Sequence, residues 1–211
     1  QNFCFVTPSK WLANRVKKSL LKDADCKVIN NGIDTEQIFC VRDANNLKKK
    51  LGLVNKKIIL TVTDDVYSNR KGIDTFIEIA DRSRESDLMF VIVGGMRKDL
   101  QRENVLFVPS IKNQEALSEF YSMADVFVIT SKCDNFPTVC LESLACGAPV
   151  VGFEVGGIAE TAPNKNIGLF VQLNNLDDMI EAIKQFICSK KIYVEKCRKY
   201  AVIHYSKLNM I

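Results

Sequence analysis

Residues 126–153 read VFVITSKCDNFPTVCLESLACGAPVVGF. The opening run, 126–130, is apolar or β-branched at every position, the mark of a strand covered on both faces. On a helical wheel, residues 138–146 set Val139, Cys140, Leu141, Leu144, Ala145 and Cys146 on nearly every side. A helix of that kind must be largely buried. Gly147 and then Pro149 end it, and 150–153 reads as a second strand. Strand, buried helix and strand in succession make a crossover unit, which requires a parallel sheet.

The same alternation extends both ways. Strands are predicted at 3–6, 27–30, 58–63, 89–93, 105–108 and 169–171, and helices at 9–21, 73–84, 114–123, 176–187 and 192–205. Ser9 stands at one helix start, and Asp74 and Glu115 fall in first turns, as helix caps require. The pattern predicts an α/β fold with a Rossmann-like doubly wound parallel sheet. A polar stretch over 34–46 is the expected break. Residues 1–38 read as one unit of another sheet, and 39–211 as the main domain.

The 211 residues carry 29 basic and 25 acidic side chains, a net charge of +4, with 47% hydrophobic residues. That is the balance of a soluble globular chain of one domain or slightly more. No apolar run nears the ~20 residues of a membrane span, and the first residues lack a signal-peptide layout, so a cytoplasmic location is expected. The lysine clusters (Lys17-Lys18, Lys48 to Lys50, Lys56-Lys57 and Lys190-Lys191) lack interleaved aromatic residues and read as solvated faces, not a nucleic-acid footprint. Eight cysteines without a C-x-x-C spacing argue against a zinc ribbon or a thioredoxin-like site, and read as reduced packing groups. With His204 the only histidine, a Ser-His-Asp triad or a multi-histidine metal centre is excluded. Neither G-x-G-x-x-G nor a P-loop occurs, which disfavours nicotinamide dehydrogenases and P-loop ATPases.

Ligands of open parallel sheets bind outside the carboxyl ends of the strands, so the loops there carry the chemistry. After 58–63, Arg70, Lys71 and Gly72 stand just before a helix. Two cations at a helix N-terminus suit a phosphate; the triplet reads equally as an exposed basic turn. Gly94-Gly95 after 89–93 lets backbone approach a ligand, or turns a corner. Glu142 lies inside the buried helix on the face of Thr138, and a carboxylate there requires a partner or a ligand. Asp134 precedes it in the feeding loop, where it could also cap a turn, as could Asn135. Gly156-Gly157 opens toward Glu160, a carboxylate suited to a first helical turn.

Taken in order, these segments resemble the retaining glycosyltransferases of family 4, which have the GT-B fold. The resemblance rests on TPSKWLANRV at 7–16, Asn31-Gly32-Ile33-Asp34, Lys71-Gly72, Asp134 with Glu142, and Gly156-Gly157. It covers nearly the whole chain and implies the C-terminal, donor-nucleotide half of such an enzyme, preceded by the last strand-helix-strand of the acceptor domain. It further implies that Arg70, Lys71 and Gly72 meet the donor diphosphate, and that Gly94, Ser110 and Ile111 lie on the nucleotide side. Backbone amides around Pro137, Thr138 and Val139, at the helix start, would face the β-phosphate, Glu142 the ribose and Asp134 the transferred sugar. The activity implied is sugar transfer from a nucleoside diphosphate sugar to a saccharide or lipid-linked acceptor, with Asp134, Glu142 and Lys71 as catalytic residues and no metal or other cofactor. The Asp-Asn-Phe-Pro wording at 134–137 resembles polysaccharide-building members. Partners so implied are the nucleotide sugar and the acceptor, with peripheral membrane association of the whole protein and no nucleic acid. A GT-B nucleotide-sugar epimerase and a non-catalytic Rossmann-like binding module are the alternatives; the Asp134-to-Glu142 spacing speaks against the first. Two departures stand out. Asp134 replaces the glutamate of many members, and Asp64-Asp65 stands where many carry an arginine.

Overall fold

In the computed structural model, which describes residues 3–83, 85–188 and 190–210, every residue of the strand Val126–Ile129 is buried. Val126 and Val128 pack on one face with Phe76 and Met179, whereas Phe127 and Ile129 pack on the other with Tyr121, Leu141 and Ala201. A strand buried on both sides needs helices on both sides, and each fully buried apolar side chain contributes about 1.5–3 kcal/mol.

In chain order the elements are β1 (Cys4–Thr7), α1 (Lys10–Val16), β2 (Asp25–Val28), α2 (Asn45–Lys50), β3 (Lys57–Val62), α3 (Ile73–Arg82), β4 (Leu88–Val93), β5 (Val105–Val108), α4 (Gln114–Met123), β6 (Val126–Ile129), α5 (Thr138–Ala145), β7 (Val150–Phe153), β8 (Gly168–Val171), α6 (Leu176–Ile187) and α7 (Lys190–Tyr205). Strands β3 to β8 form one sheet in the order β5-β4-β3-β6-β7-β8, with every pairing parallel. Helices α3 and α6 cover one face, and α4, α5 and α7 the other. β1 and β2 form a separate two-stranded parallel sheet joined by α1. This is the doubly wound architecture expected. The chain winds outward from β3 one way and from β6 the other, so the switch point lies between these two central strands.

Several boundaries differ from expectation. The first helix, predicted over 9–21, ends at Val16: Leu20 and Leu21 are exposed, so no burial holds a further turn. The strand predicted at 27–30 lies earlier, at Asp25–Val28, where it pairs with β1. Helix α2 was not predicted; no side chain caps it and it has no fully buried residue. The polar break at 34–46 is packed. Ile33, Phe39 and Ala44 are buried in the larger core, and Arg42 ties the carbonyls of Gln37 and Ile38 to the Ser118 hydroxyl. The predicted end of α3 at Arg84 and the side chains of Lys190-Lys191 lie outside the described residues. Among the described residues no helix is long and apolar enough to cross a membrane.

Candidate functional site

The loops leaving β3 and β6 are fastened together at the switch point. Gly72 sits at φ +70°, and a Cβ there would stand 2.2 Å from the Thr130 carbonyl oxygen, so only glycine fits. Thr130 Oγ1 donates to the Lys71 carbonyl at 3.1 Å, and the Lys132 amide to the Arg70 carbonyl at 2.8 Å. These bonds set the start of α3 beside the loop that feeds α5. At the end of β4, Gly94 (φ +138°) lies so close to the Thr63 carbonyl that a side chain has no room.

Between these loops opens a crevice of about 460 Å³, lined by Asp64, Lys71, Gly94, Ser110, Ile111, Asp134, Pro137, Thr138, Val139 and Glu142 among others. The predicted residues Lys71, Gly94, Ser110, Ile111, Asp134, Pro137, Thr138, Val139 and Glu142 thus share one cavity. Gly72 is not among the lining residues and stands at the N-cap of α3. Arg70 lies at its rim, half exposed, with Nη1 3.5 Å from Asp134 Oδ2 and 3.2 Å from the Cys133 carbonyl oxygen. Lys71 Nζ lies between two carboxylates, 3.4 Å from Asp64 Oδ1 and 3.7 Å from Asp134 Oδ2. The two aspartates in the arginine's place part company: Asp64 faces the crevice, while the Asp65 carboxylate turns back to accept from the Tyr67 amide at 2.8 Å.

Helix α5 points its amino end into the crevice. Pro137 is its N-cap, no side chain caps it, and its first turn holds no acidic residue. Uncapped amides with the positive end of the helix dipole make an anion site. One turn further, Glu142 accepts from the Tyr121 hydroxyl at 2.8 Å. Burial raises the pKa of Glu142, and the hydroxyls of Tyr121 and Thr138 oppose that rise. Tyr121 is wholly buried on α4, and no motif in the sequence marks its hydroxyl for this task.

A second set of contacts holds the Asp134 loop from outside the sheet. Ser9 Oγ caps α1 at Leu12 and reaches Asn135 Oδ1 at 2.5 Å. Glu160, expected only as a first-turn carboxylate of its own segment, accepts from the amides of Lys10 and Trp11, each at 2.7 Å. The Gly157 amide donates to the Asp134 carbonyl at 3.1 Å, and a Cβ on Gly156 or Gly157 would meet the carbonyl of Asp134 or Asn135 at 1.9 Å. The glycine pair is therefore a seat for this loop.

His204 stacks on Tyr200 at 4.3 Å on α7 and is not among the residues of the crevice. Among the described residues no group of His, Cys, Asp and Glu has the makings of a metal site. The cysteines are all free, but only Cys140, Cys146 and Cys197 are buried packing groups. Burial pushes the Cys146 and Cys197 thiols up to about 12. Cys4, Cys133 and Cys188 are exposed, which corrects the reading of the whole set as core.

The sequence profile described as Glycosyl transferases group 1 matches residues 43–203. Among curated proteins, N-acetyl-alpha-D-glucosaminyl L-malate synthase of Bacillus anthracis is 25% identical over 192 residues, 86% of this chain and 49% of that protein. The chain therefore spans about half the length of such relatives. Among solved structures, sucrose-phosphate synthase from Thermosynechococcus elongatus superposes with a TM-score of 0.84 at 22% identity, covering 98% of this chain and 55% of the other. HepE of Anabaena, in complex with UDP-glucose, gives 0.81 at 18% identity, covering 97% and 60%. These structural likenesses are likenesses of fold.

Proposed function

Since the chain belongs to the glycosyl transferases group 1 family, we propose that its crevice binds the diphosphate of a nucleotide-sugar donor for retaining sugar transfer. The observation that carries this reading is the meeting of Lys71 with the uncapped amino end of α5 in one cavity, flanked by Asp134 and Glu142. When the sugar leaves, the bond between its anomeric carbon and the β-phosphate oxygen breaks and negative charge grows on that oxygen. Fixed cations and helix amides stabilise such charge better than water, because they need not reorganise. Lys71 and α5 meet the β-phosphate, and Arg70 adds charge from the rim. Charge neutralisation rests on these groups, with no metal ion assigned a part.

Glu142 accepts from the ribose hydroxyls, Asp134 from hydroxyls of the sugar, and backbone at Ser110 and Ile111 meets the base. Attack by the acceptor hydroxyl on the face the phosphate leaves retains configuration without a protein nucleophile. In this reading 39–211 is the donor half of a family 4 enzyme, and 1–38 is the last unit of an acceptor domain. The acceptor is a saccharide or a lipid-linked acceptor of polysaccharide synthesis.

Calorimetric titration with UDP, GDP and ADP tests the phosphate assignment. Lys71→Ala removes one charge-assisted contact and is expected to weaken binding about 10- to 100-fold. Equal affinity of wild type and variant refutes it.

A further inference from the structure

One carboxylate in the crevice has no part in that chemistry. Asp64 lines the same cavity as Lys71 and Glu142, and its Oδ1 lies 3.4 Å from Lys71 Nζ while the side chain stays 78% exposed on the open side. Arg70 and Lys71 bring two positive charges to this corner, and Asp134 and Asp64 return two negative ones. The corner is neutral before any ligand arrives.

The two ligands of a transfer reaction differ in charge at this point. In a nucleotide sugar both ends of the diphosphate are esterified, and it carries two negative charges. The nucleoside diphosphate left behind has a free terminal phosphate, whose second ionisation falls at about 6, so at neutral pH it carries close to three. The added charge sits on the phosphate that lies against Lys71 in the donor-site reading, on which this inference rests.

We propose that Asp64 discriminates between donor and product: it is a fixed anion beside Lys71 that weakens binding of the nucleoside diphosphate more than that of the nucleotide sugar, and so promotes product departure. With Lys71 between them, carboxylate and terminal phosphate are about 6 Å apart. At an effective dielectric of about 40–80 for an open crevice, one extra charge there changes affinity about threefold to tenfold. Burial works against the charge of Asp64, yet Lys71 holds its carboxyl below the ordinary value, so it stays ionised in mild acid.

The test is calorimetric titration of wild type, Asp64→Asn and Asp65→Asn with UDP and UDP-glucose, and with the guanosine and adenosine counterparts, at pH 7.5 and pH 5.0. Asp64→Asn is expected to tighten the diphosphate about threefold to tenfold more than the sugar nucleotide at pH 7.5. Its gain for the diphosphate must shrink at pH 5.0, where the terminal phosphate regains its proton. Asp65→Asn, with the same change of charge one residue away, should leave the ratio as in wild type. Equal tightening of both ligands, a gain independent of pH, or the same shift in Asp65→Asn overturns the role of Asp64 and leaves the donor site standing. Absence of binding by any nucleotide to any of the three proteins overturns the donor site and this inference together.

Discussion

Deleting the Tyr121 hydroxyl tests how the buried carboxylate of Glu142 is held. The bond is 2.8 Å long and part-buried. Tyr121→Phe keeps the ring in its edge contacts with Phe39 and Phe127, at centroid distances of 6.3 and 5.7 Å, so no cavity forms and the loss isolates one hydrogen bond. A bond to an ionised group contributes about 1.5–3 kcal/mol, which in a domain of this size lowers Tm by roughly 3–12 °C. The pH dependence follows from Glu142, whose pKa burial raises. A carboxyl raised on folding contributes stability that is complete below its unfolded value and is lost as the pH rises through its folded value. Without the Tyr121 donor the charged form is disfavoured further. The variant's deficit should therefore be largest at pH 8 and small near pH 4, where Glu142 is protonated. In a Glu142→Gln background the partner is neutral at every pH, and the deficit should fall to about 0.5–1.5 kcal/mol. Urea denaturation of the four proteins of this cycle at both pH values measures it. A deficit equal at both pH values, or equal with and without Glu142→Gln, refutes the account.

Gly72→Ala combines a left-handed φ with a backbone clash at Thr130; a loss above about 2 kcal/mol is expected, and an unchanged urea midpoint would contradict it. Glu160→Ala leaves the Lys10 and Trp11 amides without their acceptor and should cost about 1–2 kcal/mol, seen as faster hydrogen exchange at those two amides while β3 and β6 stay protected. Asp34 bonds Lys207 at 2.6 Å, and this contact first, with the Gln37 amide second, lowers its carboxyl to about 2. A depressed carboxyl contributes stability present above the unfolded value and lost as the pH falls through the folded one. Asp34→Asn should therefore be less stable than wild type at pH 5 and converge with it between pH 4 and 2, as followed by urea midpoints.

The sheet was legible because burial on two faces leaves its mark in composition: a run such as VFVI has no place but a covered strand. Helix α6 was read to its ends, because Asn175 caps it and its apolar positions recur on one face. Helix α2 has neither signal. The site was legible in part. Arg70-Lys71-Gly72 alone fits a basic turn as well as a phosphate loop, and only the order of all the segments in the family pattern favours the second. What no pattern carries is direction. Adjacent aspartates are alike on paper, yet one faces Lys71 and the other its own loop. Nor does a carboxylate announce that it will meet amides 149 and 150 positions away; such contacts exist only once the chain has closed on itself.

The clasp of Ser9, Lys10 and Trp11 on Asn135 and Glu160 bears on the making of hybrids from relatives of this chain. A splice after residue 38 looks natural, since it parts the small sheet from the large one, but it brings in a foreign helix start that must fit Asn135 and Glu160. A junction ahead of Thr7 keeps the Asp134 loop and the first helix as a matched set, and leaves β2 and everything after it unchanged.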